Sequence, residues 1–226
     1  MLQSQPDLSV VDDPATVVGE LLADQALKGG SIVLTGGSVG PVYERAAAAE
    51  PDWSRAQVWW GDERCVPPDD ELSNYALAKR TLLDRLQKAP AEVHRIRGEL
   101  PPAEAADELD RALAGATLDF LLLGLGPDGH LASLFPGSPQ LDVEDRRAVS
   151  GPAGLEPWVD RVTMTLPTLR SARRIVFVVS GASKADAVAR AFGGPITHDV
   201  PASLVRLAPV PVEVFLDAAA AAEVAR

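Results

Sequence analysis

One histidine stands out by its setting. His130 follows the apolar run Leu118–Leu123 and the turn Gly124-Leu125-Gly126-Pro127-Asp128-Gly129. An apolar run without alternation reads as a strand covered on both faces. The glycines after it allow a tight bend with exposed N–H groups. A free imidazole titrates at about 6.5, so a histidine here could take a proton from water at neutral pH. Asp128 is close enough in sequence to orient the ring or to fix the loop.

Open α/β sheets bind ligands beyond the carboxyl ends of their strands, and other strand ends in this chain carry complementary groups. Thr35-Gly36-Gly37-Ser38 precedes an expected helix. Free N–H groups of Gly36 and Gly37, with the Ser38 hydroxyl, could cradle a phosphate; a plain N-cap after a turn is the other reading. Gly61-Asp62-Glu63-Arg64 closes another apolar strand. Arg64 offers a planar fork to a phosphate or carboxylate, and Asp62 could orient Arg64 or a substrate hydroxyl. A salt-bridged surface turn is the alternative. Asn74, in Ser73-Asn74-Tyr75, falls near the same crevice. Lys184 could supply a second cation beside a phosphate.

Several chemistries are excluded. Gly124–Gly129 fits G-x-G-x-x-G, but Pro136 and Pro139 follow too soon for the long helix a dinucleotide site requires. The Gly-Lys-Ser/Thr ending of a Walker A loop is missing, and so is Gly-x-Ser-x-Gly. No His, Cys and carboxylate spacing reads as a metal site. Cys65 is the only cysteine, which rules out an intrachain disulfide and leaves it as a half-buried small residue. His94 and His198 lack the setting of His130 and read as structural or surface residues.

The elements that must position these groups alternate along the chain. Strands are expected at Ser31–Leu34, Gln57–Trp60, Leu118–Leu123, Arg161–Met164, Arg174–Val179 and Val212–Leu216. Helices are expected at Val39–Glu50, Glu71–Gln87, Pro102–Leu113, Leu166–Ala172 and Ser183–Phe192, with a terminal helix over Asp217–Arg226. Such alternation predicts an α/β protein, a three-layer α/β/α arrangement on a mainly parallel sheet. With 226 residues, 46% of them hydrophobic, and no linker-like stretch, residues 1–226 read as one domain. The net charge of −11 argues against nucleic-acid partners and requires a local basic pocket for any anionic substrate. No apolar run is long enough to span a membrane and no signal pattern opens the chain, so a cytoplasmic protein is expected.

Taken together the segments resemble the 6-phosphogluconolactonase family. The matching pieces are Gly61-Asp62-Glu63-Arg64 with Val66-Pro67, Ser73-Asn74-Tyr75, and Gly124 to His130 running on through Ala132-Ser133-Leu134-Phe135-Pro136-Gly137. Gly36-Gly37-Ser38, Arg161-Val162-Thr163 and Ser180 to Lys184 follow in the expected order. The resemblance implies a modified Rossmann-like fold shared with sugar-phosphate isomerases and glucosamine-6-phosphate deaminase. It also implies hydrolysis of 6-phosphoglucono-1,5-lactone in the oxidative pentose phosphate pathway. Arg161 joins the substrate-binding set on this basis. Deaminase relatives share the G-x-D-G-H loop but continue with Phe-Asn-Glu-Pro, where this chain has Ser133-Leu134-Phe135-Pro136. Arg170 stands where the family commonly has asparagine, and no role is assigned to it.

A lactone is an activated ester, so a positioned base and oxyanion donors suffice and no cofactor is expected. The expected partner is the small sugar-phosphate lactone, bound by a monomer or weak homo-oligomer. Two other readings remain at this point: an isomerase or deaminase acting on a sugar phosphate, and a sugar-phosphate sensor that needs no base.

Overall fold

A computed structural model describes residues 5–224. Its main sheet has seven parallel strands. Its fourth and central strand is β6 (Phe120–Leu123), followed in order by β2 (Gly30–Leu34) and β3 (Ala56–Trp60). Outside β3 lies β5 (Glu92–His94). Outside β6 lie β9 (Ile175–Val179), β10 (Val212–Leu216) and the edge strand β1 (Asp7–Val10). Ile32, Val33, Leu34 and all four residues of β6 have no solvent exposure. That is why these runs show no alternation: both faces are covered.

The strand order places the crevice. From β2 the chain steps outward to β3 and β5, then crosses back to β6 on the other side of β2. The winding direction therefore reverses between β2 and β6, a topological switch point. The loops that leave these two strands are Thr35–Ser38 and Gly124–His130. A separate antiparallel sheet of β4 (Asp62–Arg64), β8 (Arg161–Met164) and β7 (Ala148–Gly151) brings Arg64 opposite Arg161.

Tyr43, buried in α2 (Gly40–Ala49), fixes the start of the first loop. Its hydroxyl accepts from the Thr35 N–H at 3.0 Å and donates to the Thr35 carbonyl at 2.5 Å. Burial pushes the phenol up from its ordinary value, so it stays a donor.

Three helices differ from the sequence expectation. The one expected over Glu71–Gln87 is α3 (Asn74–Thr81), followed by a 3-10 turn at Leu83–Arg85. Ser73 sets its start by capping the Ala76 N–H at 3.1 Å, and Leu82 closes it with non-helical backbone angles. Ser183–Phe192 is broken into a 3-10 turn, the short α6 (Ala185–Val188) and a widened π turn at Ala189–Gly193. Arg206 collects the freed carbonyls of Ala191 and Gly194. In the tail, residues 218–224 form turns. The Asp217 carboxylate accepts from the Gly181 and Ala220 N–H groups and pins the tail to the loop after β9. Residues 225–226 of the expected terminal helix lie outside the described residues.

The helix α1 (Pro14–Lys28) lies outside the elements expected from sequence. Asp13 caps it by accepting from the Ala15 and Thr16 N–H groups, and Val18, Leu22 and Ala26 face the core. The strands β1, β4, β5 and β7 were also not expected; each has three or four residues, and their polar residues hide the pattern.

Candidate active site

The glycine loop after β6 closes on itself. Gly126 N–H donates to the His130 carbonyl at 2.9 Å, and Gly129 N–H donates to the Gly126 carbonyl at 3.0 Å. No helix opens from it: residues 131–134 form a turn. A side chain at Gly126 would place its Cβ 2.0 Å from His130 Nδ1, so this glycine is the floor on which the ring lies. Two cations on the segment after β9 hold the loop from outside. Lys184 Nζ donates to the Leu125 carbonyl at 2.7 Å, and Arg190 donates to the carbonyls of Pro127 and Asp128.

His130 and Asp128 form a pair: Nδ1 lies 2.6 Å from the Asp128 carboxylate, which also accepts the His130 N–H at 3.1 Å. Phe135 packs against the other side of the ring, with centroids 4.7 Å apart. Burial raises the Asp128 carboxyl, but the hydrogen bond and charge of the imidazole outweigh burial and hold it below its ordinary value. An ionised Asp128 fixes the proton on Nδ1 and leaves the Nε2 lone pair for chemistry.

The ring borders a cleft lined by Gly36, Gly37, Ser38, Asp62, Arg64, Asn74, Gly126, Ala132 and Lys184, among others. A second lobe shares Asp62, Arg64, His130 and Ala132, and adds Ser133, Phe135 and Arg161. All ten residues named from the sequence thus fall in or beside one crevice, with Asp128 reaching it through His130.

Donors without partners face this crevice. The N–H groups of Gly36, Gly37 and Ser38 donate to no other described residue. Arg161 is 4% exposed; one of its nitrogens reaches the Pro157 carbonyl at 2.8 Å, while Nε and Nη1 are buried and unpartnered. Burial, reinforced by the nearby Arg64, lowers its pKa. Arg64 gives one nitrogen to the Leu72 carbonyl and keeps a buried Nε free. Lys184 is likewise lowered by burial, against the pull of Asp128.

The carboxylates, in contrast, are satisfied from within. Asp62 accepts from Ser133 Oγ at 2.6 Å and from Asn74 Nδ2 at 3.2 Å. It does not hold Arg64; it ties the histidine loop to α3. Gly36 lets Asn74 approach, since a Cβ there would lie 1.9 Å from the Asn74 amide oxygen. Although the chain carries net charge −11, the crevice offers unpaired cationic donors, the condition for binding an anion. No metal-holding cluster of three or more His, Cys, Asp or Glu occurs among the described residues.

Sequence reasoning missed Glu63, Ser133 and Thr163. Glu63 and Ser133 are 2% and 6% exposed, and the Ser133 N–H reaches Thr163 Oγ1 at 3.3 Å. For Glu63 the available signal was a run of charges directly after an apolar strand, which a salt-bridged surface turn also explains; Ser133 and Thr163 carried no such signal. His94, read as structural or surface, stacks on Trp59 with ring centroids 3.8 Å apart.

Residues 11–212 match the family model described as glucosamine-6-phosphate isomerases/6-phosphogluconolactonase. The chain is 37% identical over 214 residues to the 6-phosphogluconolactonase of Mycobacterium tuberculosis, covering 87% of each. The crystal structure of devB protein matches with a TM-score of 0.86 at 31% identity, over 97% of this chain and 100% of that one. The 6-phosphogluconolactonase from Trypanosoma brucei matches with a TM-score of 0.83 at 26% identity, over 97% and 98%. By sequence over most of its length and by fold, the chain belongs to the glucosamine-6-phosphate isomerase/6-phosphogluconolactonase family.

Proposed function

We propose that this protein hydrolyses 6-phosphoglucono-1,5-lactone to 6-phosphogluconate, with His130 as general base. The observation that carries the reading is the Asp128–His130 pair bordering a cleft whose cationic donors are unpaired. The relatives named 6-phosphogluconolactonase support the substrate.

His130 Nε2 takes a proton from water as the water oxygen bonds to the lactone carbonyl carbon. The ionised Asp128 stabilises the imidazolium that forms. The bond from that carbon to the ring oxygen then breaks, and the imidazolium returns its proton to the departing oxygen. Backbone N–H groups of a glycine loop stabilise the oxyanion between these steps. Gly36, Gly37, Ser38, Arg64, Arg161 and Lys184 supply donors for the phosphate, and Asn74 with Asp62 holds the wall between them.

Acid release from freshly generated 6-phosphogluconolactone, measured against the spontaneous rate, tests this reading. Acceleration is the expected result. Release of ammonia from glucosamine 6-phosphate without lactone turnover would assign the site to deaminase chemistry instead. Stabilisation by sugar phosphates without turnover of either would leave a sensor.

A further inference from the structure

A buried carboxylate stands behind the cleft without lining it. Four donors converge on Glu63. Oε1 accepts from the N–H groups of Arg64 and Asn74, both at 2.7 Å. Oε2 accepts from Ser73 Oγ at 2.9 Å and from the Tyr75 N–H at 2.8 Å. The first N–H groups of a helix have no partner within it, so Glu63 completes the start of α3 and meets the positive end of its dipole.

Arg64 is gripped at both ends as a result. Glu63 holds the backbone from which Arg64 springs. The far end of Arg64 donates to the Leu72 carbonyl, and Leu72 directly precedes Ser73, which Glu63 also holds. Burial pushes the Glu63 carboxyl above its ordinary value while the four donors pull it back. A charge in so costly a place persists only where every lone pair is used. Glutamine would turn an NH2 group toward two donors and break the match.

We infer that Glu63 is a positioning residue that sets the Arg64 guanidinium for the substrate phosphate and takes no part in the chemistry at His130. This rests on the reading of the cleft as a sugar-phosphate lactone site. Glu63→Gln should raise KM for 6-phosphogluconolactone about tenfold and leave kcat within about threefold. Affinity for 6-phosphogluconate, measured by calorimetry, should fall by the same factor. In an Arg64→Ala background the same change should add less than about a twofold effect, because its route is gone. An equal effect in both backgrounds, or a loss of kcat at unchanged product affinity, would overturn the assignment. Ser73→Ala removes one donor to the same carboxylate, at Oε2; should the glutamine variant not fold, a smaller KM rise that also vanishes with Arg64→Ala carries the test, and no rise overturns it. If the parent binds 6-phosphogluconate without hydrolysing the lactone, the activity fails, while the affinity ratios still decide the role of Glu63.

Discussion

The imidazole of His130 is held by Asp128, 2.6 Å from carboxylate oxygen to Nδ1, across a turn of only three residues. The same carboxylate grips the His130 backbone N–H, so it sets where the residue sits as well as which nitrogen carries the proton. Asp128→Asn keeps the shape and removes the charge that stabilises the imidazolium. The expected result is a fall in kcat of roughly 10²- to 10⁴-fold with little change in KM. His130→Ala should lose most turnover and keep product binding. Initial rates in a pH-stat, with calorimetry for 6-phosphogluconate, check both; full activity in Asp128→Asn would dissolve the pair as a catalytic unit.

A second test uses the space under the ring. Gly126→Ala would bring a methyl group to 2.0 Å from His130 Nδ1, a separation no packing tolerates. The loop is anchored from outside by Lys184 and Arg190, so the ring has to yield. The variant should fold and lose kcat by at least about a hundredfold. Rates beside a thermal melt distinguish this from general damage; activity near that of the parent would mean that the ring position does not matter.

The apolar core strands were legible because burial on both faces leaves an unmistakable run, as in Ile32–Leu34 and Phe120–Leu123. Arg161–Met164 and Val212–Leu216 fall at the expected residues. Strand ends carrying Gly36, Arg64, His130 and Lys184 were legible as a set because an open parallel sheet gathers such ends at one crevice. The satisfaction of each charge was not legible. Asp62, Glu63 and Arg64 are adjacent in sequence, yet the first binds Ser133, 71 residues away, the second caps α3, and only the third offers unpaired donors. Those differences come from tertiary partners, which local sequence does not encode. The length of α3 was misjudged for a related reason: apolar spacing continues past both ends, but Ser73 and Leu82 take non-helical backbone angles.

Ser133→Ala probes the latch between the histidine loop and β4. Ser133 Oγ donates to a carboxylate that is 5% exposed. Removing the hydroxyl leaves Asp62 with one oxygen buried and unsatisfied, at a cost of about 1–3 kcal/mol. Neighbouring Ala132 has a φ of 47°, an unfavourable conformation for a residue with a side chain, and the Ser133 bonds help to hold it there. Urea denaturation should show the loss as a lower midpoint at unchanged slope. An unchanged midpoint would mean that the bond contributes nothing to the fold.

Lys184 gives the protein a dependence on pH whose sign can be worked out. Burial disfavours the ammonium and lowers its pKa, and the attraction of Asp128 offsets this only in part. The group therefore loses its proton at a lower pH than an ordinary lysine, and affinity for an anion falls as pH rises through that lowered value. Lactones hydrolyse spontaneously in alkali, so affinity for the product 6-phosphogluconate is the cleaner readout. Its affinity should decline before the ordinary lysine range is reached. Lys184→Arg, whose guanidinium keeps its proton throughout, should abolish that decline. The decline should also deepen at low ionic strength, where the lost charge is least screened. A profile identical in parent and Lys184→Arg would show that Lys184 serves only to hold the Leu125 carbonyl, and that the phosphate is met by Arg64, Arg161 and the Gly36–Ser38 loop without it.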